Sequence, residues 1–127
     1  MAYTVKRLTD VEDAAAKGGF GETQEARFAT GALDATNTGL AYHVLRPNRR
    51  QAFGHRHNKA EEINVVLSGS GRVRLDDEVV DLETMDAIRI EPQVTRCFEA
   101  GPDGLEWLVF GPRHEGDGEL VRDFWND

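Results

Sequence analysis

Residues 54–69 read Gly54-His55-Arg56-His57-Asn58-Lys59-Ala60-Glu61-Glu62-Ile63-Asn64-Val65-Val66-Leu67-Ser68-Gly69, and the fold turns on how they are read. Side chains alternate along an extended strand, so histidines one residue apart face the same way and can reach one point. A carboxylate follows after a turn-sized gap and opens an apolar run that ends in Gly69-Ser70-Gly71, so it can enter the same space from a neighbouring strand. Two imidazoles and one carboxylate on one face form the facial triad of non-haem iron sites, and related sets hold manganese, nickel or zinc. His55, His57 and Glu62 are therefore the candidate metal ligands. Taken without Glu62 and Gly69, the histidine pair reads equally well as part of a polar loop with Arg56, Asn58 and Lys59.

The order of these residues resembles the first motif of the cupin superfamily, Gly-x5-His-x-His-x3-4-Glu-x6-Gly. His55 and His57 match the histidines, Glu62 the glutamate by its spacing to Gly69, and Gly69 the closing glycine. The opening glycine is not matched. Asn48 lies one position further out, and asparagine is the next best residue for a left-handed turn. The second motif, Gly-x5-Pro-x-Gly-x2-His-x3-Asn, is eroded in residues 86–98. Pro92 fits its proline, Gln93 stands where glycine is usual, and Arg96 stands where the family places its last metal-binding histidine. The resemblance implies an all-β double-stranded β-helix, or jelly-roll barrel, with His55, His57, Glu62 and Arg96 around one cavity.

Composition agrees with that expectation. A chain of 127 residues is one domain with room for a single core. The expected division is an N-terminal arm over 1–26, the barrel over 27–111 and a C-terminal tail over 112–127. Thirteen glycines and many short β-rich segments favour an all-β architecture, and no amphipathic stretch is long enough to compete as a core helix. With 23 acidic and 15 basic residues the net charge is −8, and the basic residues are scattered, which argues against a nucleic-acid or anionic-membrane surface. The lone Cys97 cannot form an internal disulfide. There is neither an apolar leader nor a membrane-length run, so a cytoplasmic location is expected.

The pattern predicts a short edge strand at 3–7 and a helical turn or two over 10–17, then the loop Lys17-Gly18-Gly19-Phe20-Gly21. That loop lacks the strand and helix a nucleotide-binding loop requires. Strands are expected at 27–30, 40–46, 63–67, 72–75, 79–82, 87–90, 96–99 and 105–110, with a hairpin at Asp76-Asp77-Glu78. Parity chooses between the adjacent glutamates. With Glu62 facing the cavity, Asn64 and Val66 follow it, while Ile63, Val65 and Leu67 form an apolar opposite face. Such a face needs cover, and a homodimer is the expected consequence. Glu61 then reads as solvated, His43 as a partly buried structural histidine, His114 as solvated, and Cys97 as a packing residue. Trp107 should pack in the last barrel strand, with Phe124 and Trp125 docking on the barrel or on a second subunit.

Arg96 is the chemical difficulty. Guanidinium has no acceptor lone pair and stays protonated, so it cannot replace a metal-bound histidine. Either Arg96 turns to the rim of a three-ligand iron, manganese, nickel or zinc site and binds an anionic substrate, or it pairs with Glu62 in a bidentate geometry and leaves a cavity without metal. Three functions follow: a metal-dependent oxygenase- or isomerase-type enzyme on a small polar or anionic molecule; a metal-free isomerase or epimerase with His55 or His57 as base and Arg96 as oxyanion stabiliser; or a non-catalytic sensor that binds a small ligand. His55, His57 and Arg96 are the catalytic candidates.

Overall fold

The computed structural model describes residues 2–126. Eight strands build one antiparallel sheet: β1 (Gln24–Phe28), β2 (Thr38–Leu45), β3 (Gly54–His57), β4 (Glu62–Leu75), β5 (Glu78–Glu83), β6 (Ala87–Ile90), β7 (Arg96–Pro112) and β8 (Gly118–Val121). The path runs β1-β2-β7-β3-β8, and β4 pairs with β5, β6 and β7. The fold is the all-β jelly roll the sequence implied. The two long strands do most of the curling: the first half of β7 lies against the second half of β4, and its second half lies against β2 and the first half of β4.

Register shifts between Val66 and Ser68, and between Gly69 and Gly71, bend β4 where it crosses β7. Gly69 has a positive φ of 80°, and a Cβ there would collide with the Gly104 carbonyl oxygen. Gly71 meets the Glu99 carbonyl in the same way. The closing glycine of the motif is thus a crossing point, and this is why the pairs of strands expected at 63–67 with 72–75, and at 96–99 with 105–110, are each one continuous bent strand. Asn48 adopts the left-handed conformation expected of it, with φ 61°, and donates its N–H to Gly101 O.

Inward positions alternate along every strand. Leu45, Val66, Val73, Leu82 and Leu105 belong to the packed core and stay clear of the cavity, while Phe98 and Trp107 join the core to the cavity wall. The same parity places Glu62 and Asn64 inside and leaves Glu61 exposed beside Arg89. On the outer face Ile63 and Val65 are half-buried and Leu67 is 42% exposed.

The N-terminal segment departs from expectation. Residues 3–7 form no strand, and Tyr3 and Val5 are exposed. The helical segment is a 3-10 turn at Leu8–Asp10 followed by the one-turn α1 (Ala14–Lys17), capped by Asp13. One oxygen of Asp13 accepts from both Ala15 N and Ala26 N, tying α1 to β1. The first strand accordingly begins at Gln24 instead of residue 27. The last segment, read only as a tail, contributes β8, which pairs with β3 from Gly54↔Val121 to His57↔Gly118. Beyond it Trp125 is buried under the guanidinium of Arg50, 4.3 Å from the ring centroid, and Arg74 donates to Phe124 O. The tail docks on the barrel. Among the described residues no helix is long and apolar enough to cross a membrane.

Candidate metal centre and ligand cavity

The open end of the barrel holds a cavity of about 520 Å³. His55 and His57 enter it from β3 and Glu62 from the start of β4. Their ligand atoms all lie within 4.8 Å of one another. His55 Nε2 stands 3.6 Å and His57 Nε2 3.3 Å from the same oxygen, Glu62 Oε1. Two ligands bound to one ion at about 2.0–2.1 Å, with tetrahedral or octahedral angles, stand roughly 3.0–3.4 Å apart. The triad is therefore close to a ligand arrangement as it stands. His57 Nε2 is buried with no hydrogen-bond partner of normal geometry among the described residues. A bound cation would fill that lack, so the residues fit a divalent metal.

Of the two positions expected for Arg96, the structure shows the pairing with Glu62 and not the rim. Its Cα pairs with His55 in register, so the chain position of the family's last histidine is kept. The side chain is only 1% exposed and does not line the cavity, so it is not at a rim and cannot touch a substrate there. Nor is the contact with Glu62 bidentate: Arg96 Nη1 donates to Glu62 Oε1 at 3.0 Å, and Nη2 donates to Glu91 O at 2.7 Å. Arg96 therefore donates, from outside the cavity lining, to the same Glu62 oxygen on which both histidines converge.

Electrostatics follow from this packing. Burial alone would raise the Glu62 carboxyl, but hydrogen bonding to the His55 and His57 imidazoles outweighs it and holds the group well below the usual carboxylate range. Burial lowers the His55 imidazole, opposed by Glu62. That shift favours the neutral ring a metal requires.

Asp117, which sequence reading passed over in a polar connection, organises the other side of His57. Its Oδ1 accepts from Asn58 N and Lys59 N and its Oδ2 from Ala60 N, and Oδ2 lies 3.3 Å from His57 Nδ1. Burial acts to raise its carboxyl, and the three amides overcome that and lower it. The one available signal was the glycine-flanked aspartate before the short alternation Glu119-Leu120-Val121.

The wall beside the triad is formed by His43, Asn64 and Trp107. His43 is buried, as expected, but it lines the cavity and stacks on Trp107 with centroids 5.1 Å apart. Burial drives its pKa down to about 4, with a smaller contribution from His55. Trp107 also stacks on Phe98, at 4.6 Å. His43 Nδ1, Asn64 Nδ2 and Trp107 Nε1 are all buried without a partner among the described residues. Each unmade hydrogen bond of this kind costs about 1–3 kcal/mol. His114 is exposed near the mouth, and Cys97 is buried outside the cavity lining, its thiol pushed up to about 11 by burial, as befits a packing residue.

Comparison with known proteins agrees with this geometry. The family model described as a cupin domain matches residues 41–111, more than half of the chain. A search of curated proteins finds no match. Among solved structures, a cupin protein from Bacteroides fragilis is 21% identical, with 100% of this chain and 98% of that chain covered and a TM-score of 0.72. A polyketide cyclase from Streptomyces resistomycificus is also 21% identical, covering 98% of this chain and 89% of its own, with a TM-score of 0.72. A sugar phosphate isomerase from Silicibacter pomeroyi is 15% identical over 94% and 93%, at 0.71. At such identities the structural likeness establishes the fold and no activity. With the family match, the barrel and the motif residues in agreement, the chain belongs to the cupin family.

Proposed function

We propose that this cupin is an enzyme acting on a small polar organic molecule at a divalent iron, manganese, nickel or zinc ion held by His55, His57 and Glu62. The observation that carries the reading is the convergence of the three ligand atoms at one end of a cavity that is large enough for a small molecule. Such an ion, when bound, polarises a substrate oxygen or activates water. The protein's own contribution is orientation. Arg96 fixes Glu62 from outside the cavity lining, β8 fixes β3, and Asp117 fixes the turn after His57. An anionic substrate has no guanidinium to bind, because Arg96 is sealed away, and would depend on the ion itself. Among the described residues the charged groups lining the cavity are Glu62, Asp117, Glu119 and Arg113, and Arg113 is engaged by Glu115.

One observation favours a second reading. Arg96 already supplies a positive charge to the oxygen on which both histidines converge, so the site can exist without metal, with His55 or His57 as the acid–base group or as hydrogen-bonding groups of a binding module. Metal per subunit decides, measured on protein purified without chelator or metal-affinity tag and at one pH, since protons compete with the metal for histidine. The metal reading expects close to one ion in wild type and tighter binding in Arg96→His, which removes a cation and adds a nitrogen ligand. Wild type that stays empty, while Arg96→His loads, would overturn it in favour of the metal-free site. The apolar outer face of Ile63, Val65 and Leu67, continued in register by Leu108, supports a homodimer, and light scattering showing a 14.1 kDa particle at tens of micromolar would remove that part of the reading.

A further inference from the structure

The proposed metal leaves part of the cavity without a task. His43 on β2, Trp107 on β7 and Asn64 on β4 lie on adjacent strands, with His43↔Trp107 directly paired and Asn64 opposite Val109 two residues along. All three line the cavity and are more than nine-tenths buried, at 8%, 1% and 2% exposure. Each carries a polar nitrogen without a partner, and none of these is a ligand of the triad. Three unmet nitrogens on one wall are unusual for a folded chain, which satisfies nearly all its buried polar groups. An indole N–H is a donor only, and the Asn64 nitrogen is an amide donor, so what they lack is acceptor oxygen. The rest of the lining mixes the apolar Phe28, Phe53, Phe98 and Val109 with polar residues such as Gln24, Thr30 and Gln51. Phe28 meets His43 edge-on and Trp107 is stacked with Phe98, so flat groups already pack well here.

We propose that His43, Asn64 and Trp107 form a second recognition subsite, which binds the carbonyl or hydroxyl oxygens of a neutral, flat, conjugated or aromatic molecule and so orients it towards the triad. This deepens the functional reading above by naming its substrate class, and it rests on that reading only for the direction in which the ligand is presented. The subsite itself requires no metal. In metal-free protein an uncharged ligand is favoured because a carboxylate would meet Glu62 and Asp117, whereas the charges nearer the mouth are paired, Glu119 with Arg56 and Arg113 with Glu115. The neutral state of His43, kept so by burial, agrees with a hydrogen-bonding role and not a charged one.

The test compares three probes of one shape by calorimetry or ligand-observed NMR: 1-tetralone, the hydrocarbon tetralin and the anion 1-naphthoate. Each is titrated into protein stripped of metal and, separately, into protein loaded with metal. Tetralone should bind the stripped protein about tenfold more tightly than either of the others, the range expected for one or two hydrogen bonds. Asn64→Leu, His43→Phe and Trp107→Phe should each remove several-fold of the preference for tetralone over tetralin. Asn64→Leu and His43→Phe should also melt higher than wild type without ligand, because they delete buried groups that have no partner. A purely structural role predicts the reverse, a lower melting temperature. Equal binding of tetralone and tetralin, no binding of tetralone up to millimolar, or variants that melt lower and weaken both probes alike, would each overturn the subsite. Failure of the metal reading would be visible separately, as protein that is empty of metal yet keeps its selectivity for tetralone.

Discussion

The same strands build the two ends of this barrel, and the ends do different work. On β2 the inward residue Leu45 is buried in the packed core, and two positions earlier His43 borders the cavity with an unpartnered nitrogen. On β4 the inward series passes from Val73 and Val66 to Asn64 and Glu62; on β7 it passes from Leu105 to Trp107. Backbone pairing runs through both ends, interrupted on β4 by the register shifts between Val66 and Ser68 and between Gly69 and Gly71. Pairing therefore sets which side chains point inward, and the residue type at each inward position decides whether the end becomes core or site. The packed end supplies stability, so that the open end can keep buried polar groups which lower it.

Truncation along β2 is the most direct way to break this contrast. Leu45→Ala should cost about 2–5 kcal/mol, the range for deleting a buried leucine whose neighbours cannot collapse into the space. Denaturant midpoints would show it, alongside a gain or no change for His43→Phe two residues away. A comparable loss in both variants would mean that the open end is as structural as the closed one.

Arg96 lies at the junction and should show the next largest effect. Arg96→Ala leaves the Glu62 carboxylate half-buried beside two imidazoles without its cation. Breaking a buried pair in this way costs on the order of 3 kcal/mol, at the low end because Glu62 retains some solvent contact. The loss should appear in chelated protein and shrink when metal is added. Melting curves with and without zinc would reveal it, and an unchanged apo melting temperature would show that Arg96 contributes little to holding Glu62.

Much of this was legible in the sequence, because strand alternation and the motif spacing are local. The triad, the inward face of Glu62, Asn64 and Val66, and the role of Asn48 all followed from residues within one short window. What was not legible depended on distant partners. Nothing near Arg96 announces that Glu91 O will take its second nitrogen and seal it outside the cavity lining. Asp117 acquires its role only when β8 pairs with β3, bringing it against residues almost sixty positions earlier. The edge strand expected at 3–7 had the alternation but no neighbouring strand to receive it. At His43, sequence gave burial but not exposure to a cavity, since that depends on Trp107 across the sheet.

The buried His43 makes the contrast sensitive to pH. Its folded value of about 4 lies below the 6.5 of a free imidazole. Above pH 6.5 neither folded nor unfolded chain holds the proton, and this contribution to stability is intact. As pH falls from 6.5 towards 4 the unfolded chain takes up the proton first, so stability is lost across that window. A shift of this size corresponds to about 3 kcal/mol at most. His55, also lowered by burial, acts in the same direction. The difference between wild type and His43→Phe therefore isolates His43: the variant should lose less stability between pH 6.5 and 4.5, and parallel stability curves for the two proteins would contradict the assignment.

The smallest effect belongs to Asp117, and it separates support of the metal site from support of the fold. Asp117→Asn keeps the size of the side chain and one oxygen, so two of the three amide contacts at residues 58–60 can persist. The position of Oδ2, which receives Ala60 N–H and lies 3.3 Å from His57 Nδ1, is then occupied by an NH₂ group that donates instead of accepting. His57 Nδ1 makes no hydrogen bond of normal geometry, but it loses the carboxylate 3.3 Å away whose charge favours an Nδ1–H tautomer with Nε2 turned to the triad. Changes to such supporting groups typically weaken metal binding by about 10–100-fold. The lower figure is expected here, because β8 still holds β3 in place. Competition titrations with a zinc chelator should show weaker binding in Asp117→Asn, alongside the modest drop in melting temperature that follows when Ala60 N–H loses its acceptor. If the affinity is unchanged while the protein melts several degrees lower, Asp117 serves the turn after β3 alone, and His57 takes its orientation from the triad.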